Sequence, residues 1–215
     1  MKNYRNLTAA ASISLVFLIL YNISSFAFSC KEIRSDVIRL HVIANSDSDE
    51  DQALKLQVRD ALLAKGENIF DGTVTPENAK EKITPEIENL EDIAEQVIKE
   101  NGYHYQVKTE LITEYFDTRT YDDTVTLPAG KYLALKVTIG EGKGKNWWCV
   151  MFPSLCLPAA GGTDTAAAEA VFSENEAKIV THSNEYEVRF KLIEYIEKFR
   201  EHVDNKKAKG LYEYK

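Results

Sequence analysis

The stretch RLHVIANSDSDEDQALKLQVRD, Arg39–Asp60, decides the reading of this chain. With the preceding Val37-Ile38 it predicts a β-branched strand over Val37–Ala44, bounded by the turn residues Asn45-Ser46-Asp47. Alternation sets Ile38, Leu40, Val42 and Ala44 on one wholly apolar face, which must be buried. Val37, Arg39, His41 and Ile43 fall on the other, and His41 beside Arg39 reads as a polar-face or interface residue. Ser48 is a candidate helix N-cap, with Asp49, Glu50 and Asp51 in the first turn, where acids complement the helix dipole. Ala53, Leu54, Val58, Ala61 and Leu62 then recur at helical spacing, so a helix is expected from Asp49 to about Lys65, ended or kinked at Gly66. Gln52, Lys55 and Arg59 share a polar face of that helix beside the Asn45 turn.

Outward from this block, Thr75-Pro76-Glu77 and Thr84-Pro85-Glu86 each read as a helix start, a threonine cap followed by proline. The second helix carries Ile87, Leu90, Ile93, Ala94, Val97 and Ile98 on one stripe and stops at Asn101-Gly102. Tyr105–Phe116, Tyr132–Gly140 and Trp147–Phe152 read as strands, with GEGKGKN at Gly140–Asn146 as a hairpin loop joining the last two. Pro158–Ser183 reads as a loop with one short helix. Glu185–Asn205 is a final helix carrying Val188, Leu192, Ile196, Phe199 and Val203, and Lys206–Lys215 a fraying charged tail. Strand, helices, strands, helix is the order of an α+β fold: an antiparallel or mixed sheet with helices packed mainly on one face.

The N-terminus has a different character. Lys2 and Arg5 precede an apolar run, Leu7–Tyr21, which gives way to the polar Asn22–Ser25. This is the layout of an export signal. Ala27 and Ser29 supply small residues for cleavage after Ser29. Left uncut, the stretch to Phe28 is long enough to anchor in a bilayer. Both outcomes stand at this point. Phe28 and Ala27 replace the small residue and leucine of a lipobox, which argues against lipidation of Cys30. The expected organisation is therefore 1–29 as signal or anchor, 30–205 as one globular domain, and 206–215 as tail. Acids outnumber bases 34 to 26, giving a formal charge of −8, and no basic run exists to grip nucleic acid.

The chemistry that the residues suggest mostly fails on inspection. Asp47, Asp49 and Asp51 copy the opening of a calcium loop, but Gln52 replaces its glycine and Val58 its bidentate glutamate. GEGKGKN lacks P-loop spacing and is followed by a strand. His41, His104, His182 and His202 show no metal-ligand spacing, and no nucleophile elbow is present. No catalytic residue, metal or cofactor is expected. Cys149 and Cys156 flank Pro153, where a chain reversal would allow a disulfide in an oxidising compartment; two buried free thiols are the other reading. Trp147 and Trp148 are consecutive in a strand, so one points into the core and the other outward as a candidate interface anchor; burial of both beneath Pro158–Ser183 is the other reading.

Arg39–Asp60 together with IGEGKGKNWWCVMFPSLC, Ile139–Cys156, resembles the stage II sporulation protein R family of endospore-forming bacteria, from Val37 to about Leu157. The resemblance implies a signalling protein without chemistry of its own. It would be exported into the space between forespore and mother cell. There it would activate a membrane-embedded aspartic protease that processes the precursor of sporulation sigma factor E. It also implies two partner-binding surfaces: Arg39, His41, Asn45, Ser46, Asp47, Gln52, Lys55 and Arg59 form the first, and Gly140, Gly142, Gly144, Asn146, Trp147 and Trp148 the second. Asp49 and Ser154 stand where the family commonly has proline. An exported cell-wall hydrolase, or a carbohydrate-binding module stacking sugars on Trp147 or Trp148, are the alternatives. No contact with nucleic acid is expected, and contact with membrane only through an uncut N-terminal segment.

Overall fold

The predicted strand forms as β1, Ile38–Ile43, but in the interior of a sheet rather than beside solvent. In the computed structural model, which describes residues 2–157, 162–163 and 165–212, it is preceded by one helix, α1 (Lys2–Ser35). After β1 come α2 (Asp49–Ile69), α3 (Pro76–Ile83), a single 3₁₀ turn (Thr84–Glu86) and α4 (Ile87–Glu100). Strands β2 (Val107–Phe116), β3 (Arg119–Tyr121), β4 (Val125–Leu127), β5 (Gly130–Ile139) and β6 (Asn146–Phe152) follow. The chain ends with the short strands β7 (Cys156–Leu157) and β8 (Gly162–Thr163), then α5 (Thr165–Val171), α6 (Glu174–Thr181) and α7 (Glu187–Tyr212).

The main sheet is mixed and ordered β2-β5-β1-β6, with β1 parallel to β5 and antiparallel to β6. The expected β5–β6 hairpin is therefore corrected. Gly140–Asn146 does not turn one strand back on its neighbour; it steps over the end of β1, which occupies the place between them. The expected α+β class holds. Leu40, Val42, Leu135, Val137 and Ile139 pack with Leu54, Val58 and Leu62 of α2 and Leu90, Ala94 and Ile98 of α4. Full burial of each leucine contributes roughly 1.5–3 kcal/mol.

The opposite face of β1 is buried as well. Val37 and Arg39 are sealed and His41 is 4% exposed. A second core, formed by α1, α6, α7 and the β3–β4 hairpin, covers this side with Phe26, Cys30, Ile33, Tyr132, Val150, Ile179 and Phe190. A polar residue on an interior strand was read as surface-facing because its covering elements come from distant parts of the chain.

Other expectations shift in detail. Gly66 neither ends nor kinks α2; it lies inside the helix, where a Cβ would come within 3.1 Å of the Met151 side chain, so glycine permits the close approach to β6. Thr75 caps α3 in a capping box with Asn78, as the sequence suggests, whereas Thr84-Pro85-Glu86 continues into α4 through the 3₁₀ turn instead of starting afresh. Gly102, at φ +82°, closes α4. The β3–β4 hairpin was not foreseen, because its turn carries Asp122 and Asp123 at φ 45° and 55° in place of the Asn-Gly or Asp-Gly pair that usually marks one. Among the described residues, two helices, not one, occupy the region before α7.

The last helix runs on to Tyr212, so the stretch 206–212 is helical, while 213–215 lie outside the described residues. It also buries a different stripe from the one expected. Phe190 and Ile193 face the core, while Val188, Leu192, Tyr195 and Phe199 stand in solvent. The side chain of Cys156 lies outside the described residues, and so does the expected pairing with Cys149; Cys30 is a free, buried cysteine.

Candidate functional site

The end of β1 places Asn45-Ser46-Asp47 under the Gly140–Asn146 crossover, and the two segments clasp each other. Asn45 Oδ1 accepts from the Glu141 amide at 3.0 Å, and Asn45 Nδ2 donates to Asp51 Oδ2 at 2.8 Å. Ser46 Oγ donates to the same carboxylate oxygen at 2.6 Å. Asp47 Oδ1 accepts from the Lys145 amide at 2.7 Å. Backbone amides of Lys143 and Gly144 donate to the carbonyls of Asn45 and Ala44 at 3.1 and 2.9 Å. These bonds satisfy backbone groups of a loop that has no ladder partner of its own.

The three glycines have distinct reasons. Gly140 and Gly142 sit at φ +57° and +60°, where a side chain is strained; a Cβ on Gly140 would also strike the Asn45 amide. Gly144 has ordinary φ, but a Cβ there would collide with the Ser46 carbonyl. Glycine at this position answers a close approach between two backbones.

The polar face of α2 turns toward the clasp. Gln52 Nε2 donates to the Ser46 carbonyl at 2.8 Å, and the ammonium of Lys55 donates to Gln52 Oε1 at 2.6 Å and to the Lys145 carbonyl at 3.1 Å. Burial and the neighbouring Arg59 hold the Lys55 ammonium below the usual lysine range. Asp51, which sequence reasoning assigned to the helix start after setting a calcium loop aside, is the centre of the arrangement. Its burial opposes ionisation, but hydrogen bonds from Ser46, Asn45 and Tyr105 outweigh that, and its carboxyl is held below the usual value. A usable signal existed: Asp51 follows Ser48 by three, the reciprocal position of a capping box, and its amide does donate to Ser48 Oγ at 3.2 Å. The three aspartates expected to resemble a calcium loop are thus divided between a helix cap and the clasp.

Beside the clasp, the two tryptophans take opposite faces. Trp147 is 36% exposed, with the Arg59 guanidinium 4.5 Å from its ring centre. Trp148, half-buried, stacks on His41 with centroids 3.7 Å apart and meets Phe116 edge-on at 4.9 Å. His41 is held from both sides: Nδ1 donates to Glu114 Oε1 at 2.6 Å, and Nε2 meets the Asn146 amide at 3.0 Å. Glu114 was missed, since nothing local on β2 distinguishes it; its register partner on β5 is Tyr132, and its side chain reaches His41 diagonally across that intervening strand.

Arg39 is part of this face but not of its surface. Its Nε donates to the Cys149 carbonyl at 3.0 Å and Nη2 to the Tyr121 hydroxyl. Its guanidinium lies 4.4 Å from the Phe116 ring centre and 5.1 Å from that of Tyr132. It is a core cation held by aromatic faces.

The two sequence segments singled out at the start therefore converge, but unequally. Asp47, Asn146, Trp147 and the exposed Lys145 form an outer rim; Asn45, Ser46, Gln52, Lys55 and the glycines hold it in shape; Arg39 and His41 lie beneath. No solved structure matches the chain. Stage II sporulation protein R of Bacillus subtilis (strain 168) is 32% identical over 178 residues, 83% of this chain and 76% of that protein. The family described as Stage II sporulation protein R matches residues 34–161, which contain both halves of the clasp. The chain belongs to the stage II sporulation protein R family.

Proposed function

We propose that this sporulation protein is an exported signal, delivered to the space between forespore and mother cell, that activates a membrane-embedded aspartic protease and so leads to processing of the precursor of sporulation sigma factor E. In this reading it acts by contact and not by catalysis. The observation that carries it is the clasp: about ninety residues of chain separate its halves, yet a dense set of hydrogen bonds joins them. The rim that this bracing presents carries an exposed tryptophan with an arginine over it, a pairing suited to anchoring a protein partner.

The receptor contact is accordingly assigned to Asp47, Arg59, Lys145, Asn146 and Trp147, and the remaining residues of the two motifs support it. Trp147→Ala is expected to cut sigma-factor precursor processing at least tenfold in a host co-expressing protease and precursor, with a melting temperature within a few degrees of the parent. Normal processing by a folded Trp147→Ala, Arg59→Ala chain would place the contact elsewhere. Arg59 already covers one face of the Trp147 ring, which disfavours the sugar-stacking alternative.

A disulfide between Cys149 and Cys156 is part of the same proposal. It is supported by the buried position of Cys149 in β6 and by the contact of β7, which begins at Cys156, with β6. Under denaturing, non-reducing conditions, alkylation is expected to label one cysteine, Cys30; labelling of three would refute the bond.

A further inference from the structure

The helix α1 is continuous across the point where a signal peptide would be cut. It runs from Lys2 to Ser35, and Ser29-Cys30 is an ordinary helical step within it. The two ends of the helix have opposite environments. From Ile13 to Tyr21 its large apolar side chains are at least half exposed: Phe17 is 68% and Leu18 60% exposed. From Phe26 onward it is part of the domain. Phe26 is 4% exposed, and Cys30 and Ile33 are sealed. The Phe26 ring stacks on Tyr186 at 5.6 Å and meets Phe190 edge-on at 5.4 Å, with Arg189 5.8 Å from its centre. Arg34 donates to the Ala129 carbonyl at 3.0 Å and pairs with Glu197 at 3.4 Å.

Cutting after Ser29 would strip Phe26 from Tyr186 and Phe190, exposing apolar surface on α7. The exposed half, in turn, has a length that fits one environment. Leu7–Ser25 is about 19 residues, roughly 28 Å of helix, close to the thickness of a bilayer's hydrocarbon core. The helix is long and apolar enough to cross a membrane within Ala10–Ser35, and Lys2 and Arg5 precede that stretch, on the side that stays cytoplasmic.

We infer that α1 is retained uncut as a membrane anchor, a single rod whose first part spans a lipid bilayer and whose last turns are a structural element of the exported domain. The domain then stands directly on the membrane surface with no flexible linker between. This holds whatever the receptor is, and its test does not involve the protease.

The full chain, tagged at its C-terminus and expressed in an export-competent bacterium, is expected to have the intact mass of 24.3 kDa plus the tag, and to remain with the membrane pellet after alkaline carbonate. A soluble product in the medium beginning at Cys30 would overturn the inference. The contribution of the helix to the fold is read separately. In detergent, Phe26→Ala in the full chain is expected to melt roughly 10 °C lower than the parent, whereas Phe17→Ala, in the lipid-facing part, leaves the melting temperature unchanged. Equal melting of the Phe26→Ala chain and the parent would show that the junction does not belong to the domain, and would refute the rod.

Discussion

Gly144→Ala is expected to unfold the clasp and lower stability by on the order of 3 kcal/mol, a fall of roughly 6–12 °C in melting temperature. The added methyl meets the Ser46 carbonyl, which belongs to a backbone fixed by its own bond to Gln52 Nε2, so neither side can yield cheaply. Gly140→Ala should cost a comparable amount by a different route, a positive φ combined with collision against Asn45. Lys143→Ala in the same loop is the control: its side chain is exposed and pairs with the exposed Glu141, and its melting point should not move. Thermal denaturation followed by tryptophan fluorescence reads all three. A Gly144→Ala chain melting within about 2 °C of the parent would show the loop to be free to rearrange, and the clasp would lose its claim to shape the rim.

Arg39→Ala should be the most damaging single substitution on the sheet, at roughly 3–5 kcal/mol by denaturant titration. It empties a large, fully buried volume, and takes a donor from the Cys149 carbonyl and the Tyr121 hydroxyl. Arg39→Met is the informative partner. The guanidinium is surrounded by aromatic rings, so a long apolar side chain that refills the space should recover at least half of the loss. If methionine does no better than alanine, the charge itself is what the site requires. Arg39→Ala with unchanged stability would contradict its place in the core.

How far the sequence alone reaches is visible in these same residues. Alternation over Val37–Ala44 was sufficient to find β1 and its apolar side, because period-two patterning is a local property. It was silent on the other side, where Arg39 and His41 owe their burial to Tyr121, Glu114 and Trp148, each a long way off in sequence. The loop glycines were noticed together, but adjacency along the chain suggested a hairpin, and only the insertion of β1 reveals why Gly144 must approach Ser46. In α7 the periodicity was real and the wrong stripe was chosen, since two apolar stripes compete there and only packing against Phe26 selects Phe190 over Val188.

The interposed position of β1 also sets an order of events. In chain order β1 comes first, yet the strands on either side of it follow much later, β5 by about 90 residues and β6 by about 110. Until then β1 has two open edges, and the sheet cannot be completed from nearest neighbours. Its closure depends on contacts of long sequence separation, a kind of contact that forms slowly. The clasp at the end of β1 forms only when that closure succeeds. Under the proposed function, a receptor that reads the rim would respond only to a chain whose sheet is complete.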